Sequence, residues 1–170
     1  DKLRRQGTEI RTLKRGDMLS FPSGTLTVLW PEAGRIRPAQ DANNYSLVSL
    51  LNLKGTTILE SADLPGAYDT YAAEPARILK APHHGSPTSS TGDFLRQVDP
   101  EVVLLTCRRE QRADDYQQAL SGAGIVPRLF ATARSGAVFI RFTDSGFEAT
   151  PFLPDRGRQG SIDSDGGITP

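Results

Sequence analysis

The sequence is short of several residue types, and each shortage excludes a class of protein. Its 170 residues include a single cysteine, Cys107, which excludes an internal disulfide and a thiolate zinc cluster. No apolar run approaches the ~20 residues that cross a bilayer, and no signal-peptide pattern opens the chain. Lys plus Arg and Asp plus Glu are both 20, so no overall charge attracts nucleic acid or a lipid surface. We therefore expect a soluble piece in which any contact with nucleic acid comes from a local patch.

The length of the chain sets its domain organisation. A chain of this size can bury one core but cannot comfortably bury two. Residues 154–170 are mostly Gly, Ser, Asp and Arg, and such a composition has too little apolar surface to fold. We predict one folded domain over residues 1–153 and a flexible tail over 154–170. Because the chain opens on Asp1 and its one methionine is Met18, we expect it to be a piece of a longer protein.

Strand-like and helix-like segments alternate along the folded part. The apolar run 102–106 is nearly continuous, which is typical of a strand covered on both faces of its sheet. Spacing predicts a short helix over 91–98 and a second helix capped by Asp114. The pattern favours an α/β fold with a mixed sheet and flanking helices. The other predicted strands cover residues 25–30, 46–53, 57–60, 78–80, 126–130, 136–142 and 147–152.

The segment 78–86 carries both histidines of the chain. An apolar run stops there at Pro82, and His83, His84, Gly85 and Ser86 follow. Proline ends the strand because it has no N–H to donate, and glycine allows a sharp turn. The imidazoles are therefore predicted at the C-terminal end of a buried strand, where α/β sheets place their ligands. Asp63 follows the strand before it, although an aspartate there can simply cap a turn.

These motifs, in this order, resemble the C-terminal half of the metallo-β-lactamase-like domain of ComEC-type competence proteins. The specific part is the segment from Lys80 to Ser86, which matches the family's Lys-x-x-His-His-Gly-Ser. The resemblance covers about residues 10 to 152. Its supporting matches are Val28-Leu29-Trp30-Pro31, Asn43 or Asn44 with Ser46-Leu47-Val48, Ala62-Asp63, and Ser135-Gly136-Ala137-Val138.

The resemblance implies an αββα sandwich with two divalent metals between its sheets. The implied chemistry is phosphodiester hydrolysis during DNA uptake, with Zn, Mn or Mg activating a water. Asp63 would be the metal-bridging carboxylate, and His83 or His84 a metal-site or proton-transfer residue. Lys80 and Ser86 would touch phosphate or orient the histidines.

The resemblance also implies partners and a location. The partners are DNA, either single-stranded or duplex, the upstream half of the same domain, and a membrane channel region of the parent protein. The parent would be attached to the membrane through its N-terminal part. This piece is expected to lie outside the cytoplasm.

The chain departs from the family pattern in three places. The His-x-His-x-Asp-His motif is absent, Ala62 replaces a glycine, and the segment 107–112 replaces Asn-x-Tyr-x-His-Pro. Because a catalytic zinc normally takes three protein ligands, we expect a degenerate site and no activity from this fragment alone. The alternative is a non-catalytic domain that lost its metals and binds DNA or its membrane partner. Arg108 and Arg109 would then contact phosphate, unless they belong to a solvated face.

Overall fold

The architecture is a seven-stranded sheet with helices on one face and a β-hairpin on the other. It is seen in a computed structural model that describes residues 2–36, 41–143 and 145–154. The sheet strands are β1 (Met18–Phe21), β2 (Gly24–Trp30), β3 (Val48–Leu53), β4 (Thr56–Glu60), β5 (Ile78–Lys80), β6 (Val102–Leu105) and β7 (Arg128–Ala131), in that spatial order. The hairpin consists of β8 (Val138–Thr143) and β9 (Gly146–Pro151). The helices are α1 (Lys2–Arg5), α2 (Gly66–Asp69), α3 (Gly92–Val98), α4 (Glu110–Gly122) and α5 (Thr132–Ser135).

The direction of the strands changes half-way across the sheet. Strands β1 to β4 are antiparallel. Short turns join β1 to β2 and, at Lys54-Gly55, β3 to β4, whereas residues 31–47 lie between β2 and β3. Strands β4 to β7 are parallel, and longer connections that contain helices join them, as parallel pairs require. The C-terminal ends of β4, β5, β6 and β7 therefore lie at one edge of the sheet.

The alternation of side chains along the strands separates two apolar layers. Leu59, Leu79 and Val103 point to the helical face, where they pack with residues of α3 and α4. Ile58 and Ile78 point to the other face and pack against the β8–β9 hairpin. Each central strand is thus covered on both sides, as its continuous apolar sequence predicts.

The start of α4 differs from the prediction. The helix begins at Glu110 rather than after Asp114, because the buried residues Ala113, Tyr116 and Leu120 extend the helical period towards the N-terminus. Asp114 lies inside the helix, and its carboxylate forms an ion pair of 2.8 Å with Arg134. The predicted cap was therefore wrong.

Two further expectations concern the membrane and the tail. Within the described ranges, every helix is too short or too polar to span a bilayer. The predicted tail lies outside the described residues, apart from Pro154.

Candidate functional site

Two neighbouring parallel strands deliver the candidate residues to one edge of the sheet. Strand β4 leads to Asp63, and β5 leads to a short 3₁₀ helix, Pro82–Gly85. The backbone N–H of His83 donates to the carbonyl of Ala62 over 2.9 Å. The Ser61 hydroxyl donates to the Lys80 carbonyl over 2.8 Å. These two bonds hold the β4 and β5 loops together.

The same loops contain a group of left-handed backbone conformations. Ala62, His83 and His84 have φ of 48°, 46° and 53°. Each costs a residue with a β-carbon about 1–2 kcal/mol. Such conformations persist only where the surrounding structure enforces them, and they concentrate at functional sites. The family carries a glycine before its aspartate, and Ala62 occupies that position here. The backbone conformation of Ala62 is one that favours glycine.

His84 lies between a backbone carbonyl and the Asp63 carboxylate. Its Nδ1 is 3.0 Å from the carbonyl oxygen of Thr106 and 2.8 Å from the hydroxyl of the same residue. Because a carbonyl only accepts hydrogen bonds, this contact favours the tautomer with the proton on Nδ1. The Nε2 atom is 3.6 Å from Oδ1 of Asp63. In that tautomer of the neutral ring, Nε2 has a lone pair. Nε2 and the Asp63 carboxylate are then both hydrogen-bond acceptors, and a proton or a cation between them would be attracted to both.

His83 has different surroundings. Its Nε2 is 3.5 Å from the side-chain amide nitrogen of Asn43, which can donate to it. Its Nδ1 is buried and has no hydrogen-bond partner among the described residues. The resemblance left open whether Asn43 or Asn44 precedes Ser46-Leu47-Val48 as in the family, and the fold brings Asn43 to the histidine loop.

The pair formed by Asp63 and His84 suits two positions around one metal ion. Two ligands at about 2.0–2.1 Å from a tetrahedral ion lie about 3.4 Å apart, close to the observed 3.6 Å. A metal-bound histidine usually donates its other N–H to a carbonyl or carboxylate, as His84 does to Thr106. In the described parts of the chain, however, no three His, Cys, Asp or Glu residues form a group that could hold an ion. If an ion were bound here, Asp63 and His84 would supply two of its ligands, and the others would have to come from outside the described residues.

An open cleft of about 840 Å³ lies beside the histidines. Its lining includes His83 and His84, Arg108 and Arg109, which directly precede α4, and Arg112 in the first turn of that helix. Ser86 also lines the cleft, and its hydroxyl is 3.0 Å from that of Thr88. The other lining residues are Thr106, Cys107, Gln111, Asp115 and Thr132.

Lys80 is not among the residues that line this cleft. Its ammonium group donates to the carbonyl of Ala81 over 2.8 Å. Burial lowers the pKa of Lys80, although the carboxylates of Glu60 and Asp63 oppose this effect. The side chain thus interacts electrostatically with Asp63 and is not part of the lining of the cleft. Its predicted contact with phosphate remains a prediction.

Neither Ser86 nor Ser89 caps the helix that follows the histidine loop. The Thr91 hydroxyl caps α3 by accepting from the N–H of Phe94. Buried Asp69 in turn accepts from the N–H and the hydroxyl of Thr91, over 2.7 and 3.0 Å. Burial raises the pKa of Asp69 despite these bonds.

Tyr116 of α4 packs against the segment that follows the histidines. Its hydroxyl is 2.9 Å from that of Ser90, and burial raises the pKa of Tyr116 to about 12. A β-carbon added to Gly85 would lie 3.0 Å from the Tyr116 ring. Sequence analysis missed Asp69 and Tyr116, because their partners lie 22 and 26 residues away along the chain. The helical spacing of Ala113, Tyr116 and Leu120 could have placed Tyr116 in the core.

Comparison with known proteins gives one similar sequence and a similar fold. No protein-family model matches the chain. ComE operon protein 3 of Bacillus subtilis is 32% identical over 114 residues, which are 64% of this chain and 14% of that protein. The resemblance to ComEC-type proteins is confirmed. The chain thus spans about a seventh of the length of this ComEC-type relative.

A solved structure resembles the fold. It is the crystal structure of a protein from Parabacteroides distasonis described as a metal-dependent hydrolase, with a TM-score of 0.54 and 15% identity. The match covers 77% of this chain and 60% of the other. At this identity the similarity concerns the fold, and with the mixed sheet and flanking helices it confirms the metallo-β-lactamase-like class expected for half of a ComEC-type domain.

Proposed function

We propose that this chain is part of the nuclease-like module of a ComEC-type competence protein, which hydrolyses phosphodiesters during DNA uptake. The observation that carries the proposal is the pair formed by His84 and Asp63, at the ends of adjacent parallel strands. The Thr106 carbonyl keeps the proton on Nδ1 of His84, so that Nε2 presents its lone pair 3.6 Å from the carboxylate. This arrangement favours a cation between the two side chains.

Asp63 and His84 would hold a divalent ion, either Zn, Mn or Mg, together with ligands from the upstream half of the domain. When bound, such ions activate a water and neutralise the leaving oxygen. Thr106 fixes the tautomer of His84, and Asn43 orients His83 beside it. Ser86 lies in the cleft, where it can contact a phosphate oxygen.

The whole-protein context is also part of the proposal. The chain would work with the upstream half of its domain and with a membrane channel region of the parent, outside the cytoplasm. DNA would reach the cleft during uptake. The metal site is proposed to be degenerate, because the late histidine motif of the family is replaced by residues 107–112.

A second candidate is a domain that kept the fold and lost catalysis. The observation that favours it is the replacement of the family's late histidine by arginines at the mouth of the cleft. Such a domain would bind DNA or its membrane partner without metal.

The test uses the chain joined to its native upstream half. The protein is incubated with Mn and with single-stranded or duplex DNA, and bound metal is measured by elemental analysis. We expect the rate of cleavage to fall about 10-fold to 100-fold or more in Asp63→Asn and in His84→Gln. Glu148→Gln, on the outer face of the hairpin, is the matched control and should leave cleavage unchanged.

The two candidates predict different results. Absence of cleavage together with absence of bound metal would refute the hydrolase and leave the non-catalytic domain. Cleavage that persists in both site variants would show that the metal is held elsewhere.

A further inference from the structure

We infer that one apolar area of the seven-stranded sheet, on the side of the hairpin, binds β-strands of the parent protein that extend the β8–β9 hairpin. This area, here called the open face, consists of Leu19, Phe21, Leu26, Leu51 and Leu53. The inference rests on the proposed function, which names the rest of the domain as a partner but assigns it no surface. It fixes which side of β1, β2 and β3 is an interface and which side is in contact with water.

One cross-strand row of apolar side chains runs along the hairpin side of the sheet. Side chains that are directly opposed on neighbouring strands lie on the same face of a sheet. The observed register therefore joins β1 to β6 in a single apolar strip. Its members, in spatial order, are Leu19, Leu26, Leu51, Ile58, Ile78 and Val102.

The hairpin covers one end of this strip and leaves the other end in water. Beneath the hairpin, Ile78 is 0% exposed and Val102 is 2% exposed. At the other end, Leu19 and Phe21 are each 38% exposed, and within the described residues neither belongs to the layer that packs under the hairpin. A continuous apolar strip that is only partly covered indicates an interaction surface.

The opposite side of the same strands has a different composition. There the register places Ser20 opposite Thr25, and Met18 opposite Thr27. A strand that is solvated on one face alternates apolar and polar residues along its sequence. The alternation in β1 and β2 thus directs most of the polar side chains to one side and the leucines to the side of the hairpin, which we assign as the interface.

The element that covers the open face has to lie in the same layer as the hairpin. Facing sheets pack about 10 Å apart, and neighbouring strands of one sheet lie about 4.8 Å apart. In the described part of the chain β8 and β9 pair only with each other, so each has an outer edge whose backbone groups can pair with a further strand. Strands added beside the hairpin, in the direction of β1, lie directly over the open face.

The size of the open face favours the parent protein over a second copy as the source of these strands. With β1 four residues long, the face is about three strands wide and four residues long, which is about 200 Å². Two copies packed on each other would bury about 400 Å², whereas stable interfaces between separate chains bury about 1,200–2,000 Å². A segment of the same polypeptide needs less area, because the connecting chain gives it a high effective concentration.

The similar solved structure shows that proteins of this fold have further chain available. The part that matches this chain is 60% of the protein from Parabacteroides distasonis. The remaining part of such a fold is long enough to supply several strands.

The experiment compares the 170-residue chain with the same chain joined to its native upstream half, both in EDTA. Leu19→Cys and Met18→Cys are labelled with a maleimide, and mass spectrometry of the separate peptides distinguishes each new thiol from that of Cys107. Met18→Cys is the matched control, because Met18 is the neighbouring residue of β1, is 63% exposed and lies on the opposite face. Amide hydrogen exchange of β8 and β9 is measured in both proteins. Circular dichroism confirms that every variant is folded.

We expect Leu19→Cys to be labelled about 10-fold or more slowly in the joined protein than in the 170-residue chain, because its thiol then reacts only after local opening. Labelling of Met18→Cys should be the same in both proteins. The amides on the outer edge of either β8 or β9 should also exchange more slowly in the joined protein.

Equal labelling of Leu19→Cys in the two proteins would overturn the inference. Protection that develops in the 170-residue chain as its concentration rises would also overturn it, since a second copy would then cover the open face. Protection of Leu19→Cys without slower exchange in β8 or β9 would refute the added strands. These measurements need neither metal nor DNA, so a failure of the proposed hydrolase, seen as absence of cleavage with Mn, would leave them unchanged.

Discussion

Gly85 is the position where a single methyl group should most clearly damage the site. Its φ of 71° is left-handed, and an added β-carbon would lie 2.7 Å from Cδ1 of Leu105 and 3.0 Å from Cδ2 of Tyr116. Both neighbours are buried in the main core, so neither can move without disturbing others. Gly85→Ala therefore combines backbone strain with overpacking.

The two costs can be separated. The left-handed conformation costs alanine about 1–2 kcal/mol, and overpacking of a dense core typically costs about 1–3 kcal/mol more. We expect Gly85→Ala to reduce the free energy of unfolding by about 2–5 kcal/mol in total. Gly124→Ala is the matched control, because Gly124 has a φ of 77° and no atom within 4 Å of an added β-carbon. It should lose the strain component alone.

The assay is equilibrium unfolding in urea, with the unfolding free energy of each variant extrapolated to water. The crowding predicts that Gly85→Ala is about 1–3 kcal/mol less stable than Gly124→Ala. Equal losses in the two variants would refute the argument, because the contacts of Gly85 with α4 and β6 would then carry no energetic weight.

Three further predictions concern neighbouring positions. Ala62→Gly should raise the free energy of unfolding by up to about 1 kcal/mol, since glycine adopts the φ of 48° without strain; a loss in urea unfolding would contradict this. Tyr116→Phe should cost about 1–2 kcal/mol at neutral pH, because it leaves the Ser90 hydroxyl unpaired. Burial raises the pKa of Tyr116 to about 12 in the folded protein, so the wild type loses stability as pH rises above the unfolded value of 10.0. The stability difference between Tyr116→Phe and the wild type should therefore shrink when unfolding is measured at alkaline pH. A difference that stays constant with pH would contradict this prediction. Burial lowers the pKa of Lys80, which means that its charged form destabilises the folded state, so Lys80→Met should be more stable than the wild type at neutral pH. The stability difference should narrow as pH rises towards 10.5, where the wild-type lysine loses its charge. A stability difference independent of pH would show that the charge is not the cause.

The sequence by itself determined the class of fold and the segments that carry the chemistry. Period-two alternation, the apolar run 102–106 and the stop at Pro82 are local signals, because they depend on neighbours within a few residues. They were sufficient to predict strands ending near Asp63 and at the histidines, and to support the ComEC-type resemblance. The start of α4 was missed, because tertiary burial of Ala113 outweighed the local capping preference of Asp114.

Only the tertiary structure decided which of these residues meet. It joined His84 to Asp63 and to Thr106, and left His83 beside Asn43. It also placed Arg108, Arg109 and Arg112 in the lining of the cleft beside the histidines, and left Lys80 out of that lining. These contacts join residues that lie 20 or more positions apart in the chain. The order and direction of the strands bring them together, and no local pattern in the sequence encodes that order.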